Sequence, residues 1–144
     1  MKPVVFVIAL ASLGCDAESL EPLRPDGGAA PDAAWAGASC ADEAVVRARV
    51  FEARCADSDC HDADDPEAGL DLVSPGIRAR VEAARSVHED CADRALVVPG
   101  NSRASFLMDK VLGLEATCGD PMPLEGDLSL AQRRCLVEWI DAMQ

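Results

Sequence analysis

The chain has no tyrosine, three phenylalanines and two tryptophans in 144 residues. Beyond Cys40 the large aromatics reduce to Phe51, Phe106 and Trp139. Aromatic side chains supply much of the buried area of an ordinary core, so a domain this size without them has a thin one. Cross-links or a buried apolar group must compensate. Histidine is as scarce, with His61 and His88 alone. Basic residues number 13 against 26 acidic ones, a net charge of −13. No basic stripe exists to neutralise phosphates, which excludes nucleic acid as a partner. An acidic surface steers towards basic partners instead, less so as salt rises. The glycines follow no phosphate-cradling pattern, and no internal repeat is present.

The apolar run Val4–Leu13 is too short to span a bilayer as a mature helix. It follows Lys2 and leads to Ser12-Leu13-Gly14-Cys15. A basic residue, an apolar stretch and small residues before a cut describe a secretory signal, residues 1–14. Small and apolar residues directly before a cysteine point to the lipoprotein variant, with Cys15 lipidated and anchoring the chain to a membrane. Ordinary secretion with Cys15 left as a thiol is the alternative. Loss of Lys2 with the leader brings the net charge to about −14. Residues 15–39 hold Pro22, Pro25, Pro31 and Gly27-Gly28 with no apolar period, the composition of a disordered tether.

Six of the seven cysteines remain after Cys15: Cys40, Cys55, Cys60, Cys91, Cys118 and Cys135. An even set in an exported domain of this length implies disulfides, covalent cofactor attachment, or both.

From Cys40 onward the pattern is helical. Ser39 is the expected cap of a first helix whose buried face is Val46, Val50 and Phe51. Asp62 to Glu67 is acidic and contains Pro66, hence a loop, and the paired acids Asp64-Asp65 are solvated. Leu70 and Leu72 share one side of a short extended piece. Ser74-Pro75 marks a second helix start, with the helix expected to run to about Val87. Asn101 or Ser102 caps a short helix containing Phe106, Leu107 and Val111 and ending at Gly113. Pro121 and Pro123 keep the stretch after Cys118 extended. Ser129 with Gln132 forms a capping box for a last helix with the stripe Leu136, Trp139, Ile140, Met143.

The chemistry-bearing stretch is Cys55-Ala56-Asp57-Ser58-Asp59-Cys60-His61. Two thiols followed at once by an imidazole are what covalent attachment of a c-type haem requires, each thiol adding to a vinyl group and the histidine reaching iron. The usual spacing places two residues between the cysteines. Here there are four, small and polar, so a bulge into solvent is expected. Met122, between two prolines, is the candidate second axial ligand, a soft thioether that favours reduced iron. Its other reading is a core gap-filler. His88 reads as a surface histidine, relevant to iron only if Met122 is not. Zinc on Cys55, Cys60 and His61 lacks a fourth ligand in matched spacing.

The leading helix, Cys-Cys-His, the leucines after the loop, Met122-Pro123 and the terminal Leu136-Val137-Glu138-Trp139-Ile140 together resemble a small class I c-type cytochrome domain over residues 40–144. The resemblance implies an all-α, cytochrome c-like fold with N- and C-terminal helices crossing, near Phe51 and Trp139, and short helices and irregular loops between. It implies covalent haem c on Cys55 and Cys60, with His61 proximal and Met122 distal. The wider spacing of the cysteines departs from the family. Two disulfides are expected from the other cysteines: Cys118 with Cys135, pinning the methionine loop to the terminal helix, and then Cys40 with Cys91. The functional expectation is an exported monohaem electron carrier, periplasmic or at the cell surface, serving redox partner proteins with basic surfaces and not itself a catalyst. The competing expectation is a haem-free, disulfide-stapled module of the same shape that serves binding or assembly in a surface complex.

Overall fold

The computed structural model describes residues 37–114 and 118–144. The leader, Cys15 and the tether up to residue 36 lie outside the described residues. Within them the chain is helical, without a β-strand, and its only sheet-like pairing is the antiparallel bridge Arg85–Ala95. No helix among them is long and apolar enough to cross a membrane.

Helix α1 consists of three consecutive segments: α-helical Glu43–Val46, π-helical Arg47–Phe51 and α-helical Glu52–Arg54. Asp42, not Ser39, is its cap, accepting from the Ala44 N–H at 2.8 Å. The helix begins later than the serine suggested because Cys40 is held by a disulfide, and the next capping side chain is the aspartate. Ser39 instead donates to Glu138 of the terminal helix at 2.6 Å.

Helix α2, Ile77–Ala83, starts after Gly76, whose φ of 85° suits a residue without Cβ. Its first N–H groups are satisfied from α1 and not by Ser74. Gly76, Ile77 and Arg78 N–H all donate to the Glu43 carboxylate at 2.8–3.2 Å. The helix stops four residues short of Val87. Beyond it the Ala84 carbonyl accepts from Leu96 N–H and Ser86 N–H donates to Arg94, so the chain leaves the helix to pair with 94–96. Asn101 caps a 3-10 turn, Ser102–Ala104, before α3, Phe106–Leu112, which ends at Gly113 in the left-handed region as expected. Helix α4, Leu130–Asp141, carries the full Ser129–Gln132 capping box.

The core lies between α1 and α4. Val46, Val50 and Phe51 face Leu136, Trp139 and Ile140, all essentially without solvent contact. Gln132 also donates to the Arg49 carbonyl at 3.0 Å, tying the start of α4 to α1. The apolar stripes read from the sequence thus pack on each other.

The same four cysteines form disulfides as expected, but the pairing differs. Cys40 joins Cys135 and Cys91 joins Cys118, with Cα–Cα distances of 5.1 and 5.8 Å. The reason is positional. Cys135 lies on the buried face of α4 that meets α1, where the chain entering α1 passes with Cys40. Cys118 sits by α3, its carbonyl bonded to Lys110, beside the turn Glu89–Cys91.

Candidate functional site

The end of α1 places Cys55 one turn after the buried Val50–Phe51 pair, its N–H still bonded to the Phe51 carbonyl at 2.8 Å. From there the chain makes a closed loop. His61 N–H returns to the Cys55 carbonyl at 3.0 Å, and Cys60 N–H bonds to Asp57 at 2.8 Å. Asp57, Ser58 and Asp59 point to solvent. The extra residues are therefore accommodated outside, and His61 is brought back beside the end of α1. Glu67 N–H to the Cys60 carbonyl and Leu72 N–H to the His61 carbonyl fix the far side of the loop.

Cys55 and His61 open onto a cleft of about 200 Å³. Its walls are mostly apolar, formed by Leu70, Leu72, Leu96, Phe106, Leu107 and Val111. Met122 and Pro123 line it as well, as does His88 at its rim. Of the four residues singled out as cofactor ligands, Cys55, His61 and Met122 share this cleft. Cys60 is half-buried but does not line it. Both Cys55 and Cys60 are free thiols. Burial pushes the Cys55 thiol up to about 11, Arg54 pulling slightly the other way and Cys60 adding to the rise.

The two histidines differ in tautomer. His61 Nδ1 lies 3.1 Å from the Leu70 carbonyl, which only accepts, so Nδ1 carries the hydrogen. In the neutral ring this leaves a bare Nε2 lone pair, the form that binds a metal. His88 Nδ1 accepts from Asp90 N–H at 3.3 Å. Its neutral ring therefore bears hydrogen on Nε2 and acts as a donor there. The pattern separates a ligand-ready imidazole from one that is not, which residue counting alone does not do.

Sequence reading missed Lys110. Its ammonium donates to the carbonyls of Cys118 and Asp120 at 2.5 and 2.8 Å, and its own carbonyl accepts from Met122 N–H at 2.9 Å. A single basic residue in a short helix carries no signal in a sequence. The contact depends on how the loop folds back over α3.

Among the described residues no group of three or more His, Cys, Asp or Glu is placed to hold a metal ion. No protein-family model, curated protein or solved structure matches the chain.

Proposed function

We propose that the chain is an exported monohaem c-type cytochrome domain that carries single electrons between partner proteins. The observation that carries this reading is the His61 imidazole, held by Leu70 with Nε2 bare, in one apolar cleft with Cys55 and Met122. The packing of α1 on α4 through Phe51 and Trp139 supports the reading. Haem supplies an iron that cycles between ferric and ferrous states. His61 would hold it from one side and the Met122 thioether from the other, the latter favouring the reduced ion. Cys55 and Cys60 would each add S–H across a vinyl group, forming a C–S and a C–H bond at the expense of the double bond. With His61 and Met122 both given to the iron, electron transfer would be favoured over chemistry on a bound substrate.

The fit has a condition. A cleft of about 200 Å³ is smaller than the roughly 300–1,000 Å³ of sites that enclose sizeable ligands. Its walls must spread to admit a macrocycle, and the Cys55–His61 loop must turn Cys60 inward. Export, the lipid anchor at Cys15 and basic redox partners complete the proposal.

The position of Cys60 off the cleft favours a second reading, a haem-free module whose cleft serves binding or assembly. Co-production with haem-attachment machinery separates the two. The first predicts a red protein whose haem survives denaturation and organic extraction. The second predicts a colourless one.

A further inference from the structure

The loop 118–122 brings Met122 to the cleft, and α3 meets it on one side. Three of its backbone groups bond to one residue. Lys110 Nζ donates to the Cys118 and Asp120 carbonyls at 2.5 and 2.8 Å, and the Lys110 carbonyl accepts from Met122 N–H at 2.9 Å. Bonds from an ammonium are charge-assisted and stronger than neutral ones. The same ammonium lies 5.4 Å from the centre of the Phe106 ring, which fills the cleft wall beneath it. The loop lies flush on this support. Gly119 has a φ of +74°, and a Cβ there would come within 3.4 Å of both Lys110 Nζ and His88 Cδ2. Cys118 is bonded to Cys91 on the other side.

We propose that Lys110 is the positioning residue for Met122: its side chain and carbonyl together clasp the 118–122 loop against α3 and set where the thioether meets the cleft. A lysine on a solvated face spreads its three donors into water. This one spends two on alternate carbonyls of a single loop, those of Cys118 and Asp120. The disulfide fixes the loop's first residue, and the Lys110 ammonium adds two charge-assisted bonds further along it, flanking the Met122 N–H bond. The consequence for iron ligation rests on the cytochrome reading. The clasp itself does not.

The test is amide hydrogen exchange on the full disulfide-intact chain, comparing wild type, Lys110→Met and Lys110→Arg. Methionine keeps the stem and removes the ammonium; arginine restores donors. The expected result is Met122 N–H exchanging about tenfold faster or more in Lys110→Met, with Leu136 and Ile140 N–H in α4 unchanged and arginine reversing most of the effect. Unchanged Met122 exchange in Lys110→Met overturns the proposal. So does equal acceleration at Leu136 and Ile140, which would make Lys110 a determinant of global stability only. In haem-loaded protein the Lys110→Met variant is expected to lose the spectral signature of methionine ligation while keeping that of His61. A colourless protein ends the haem reading and leaves the exchange result intact.

Discussion

The rings of Phe51 and Trp139 meet edge to face, their centroids 5.5 Å apart and their planes at 73°. They are two of the three large aromatics after Cys40, and each is almost wholly buried. In a core poor in aromatics, this pair joins α1 to α4. Trp139→Ala is expected to cost about 3–5 kcal/mol. That is a large share of the roughly 5–15 kcal/mol available to a single domain. The denaturant midpoint of the disulfide-intact protein measures it, and a loss below about 1 kcal/mol would mean the pair is not central to the core.

The disulfide pairing is open to direct mapping. Non-reduced peptides should contain Cys40 linked to Cys135 and Cys91 linked to Cys118. The first closes a sequence separation of 95 residues, the second of 27. Replacing Cys40 and Cys135 together by serine is expected to cost about 2–5 kcal/mol, the larger loss of the two pairs. Peptides joining Cys118 to Cys135 would contradict the arrangement.

How far the sequence revealed all this follows physical lines. The α4 capping box, the α3 stop at Gly113 and the buried faces of α1 and α4 depend on local periodicity and side-chain caps, and each was readable. The start of α2 was not, because its cap is Glu43, more than thirty residues away in the chain. Nor was the pairing of the cysteines, which depends on which face of α4 meets α1. Cys55, His61 and Met122 were chosen by residue chemistry, and the fold brings them to one cleft. Cys60, chosen with them, lies outside its lining. The His61–Leu70 bond and the Lys110 clasp are tertiary contacts to backbone carbonyls, which leave no trace in residue types.

Two carboxylates link stability to acid. Burial raises Glu43, but the three α2 backbone N–H bonds and Arg80 outweigh it, leaving it below its ordinary value of 4.5. Burial likewise opposes Asp71, yet bonds from Ser74 and Val73 and the charge of Arg80 bring it from 3.8 to about 2. In the unfolded chain both take protons at higher pH than in the folded one. Their contribution is therefore complete above about 4.5 and is lost as pH falls towards about 2. Glu43→Gln should flatten part of that decline and lower stability at neutral pH by about 1 kcal/mol after solvent screening. Thermal midpoints across this range check it. A variant as acid-sensitive as the parent would remove Glu43 from the account.

Cys55 should resist alkylation at neutral pH in haem-free protein, because burial holds its thiol up to about 11. Its rate should climb about tenfold per pH unit below that value, following the thiolate fraction. Site-resolved mass spectrometry after iodoacetamide treatment measures the profile. Rapid, pH-independent labelling would show an exposed Cys55 and a different end to α1.

The central proposal is that Cys55, Cys60 and His61 hold a haem at the cleft that Met122 lines. The most direct measurement is the absorption spectrum of protein made with haem-attachment machinery, before and after acid–organic extraction, alongside Cys55→Ala/Cys60→Ala and His61→Ala variants. The account predicts a Soret band that survives extraction in the parent, is lost to extraction in the double cysteine variant and is altered in His61→Ala. A colourless parent in which Cys55 and Cys60 still titrate as free thiols would contradict it.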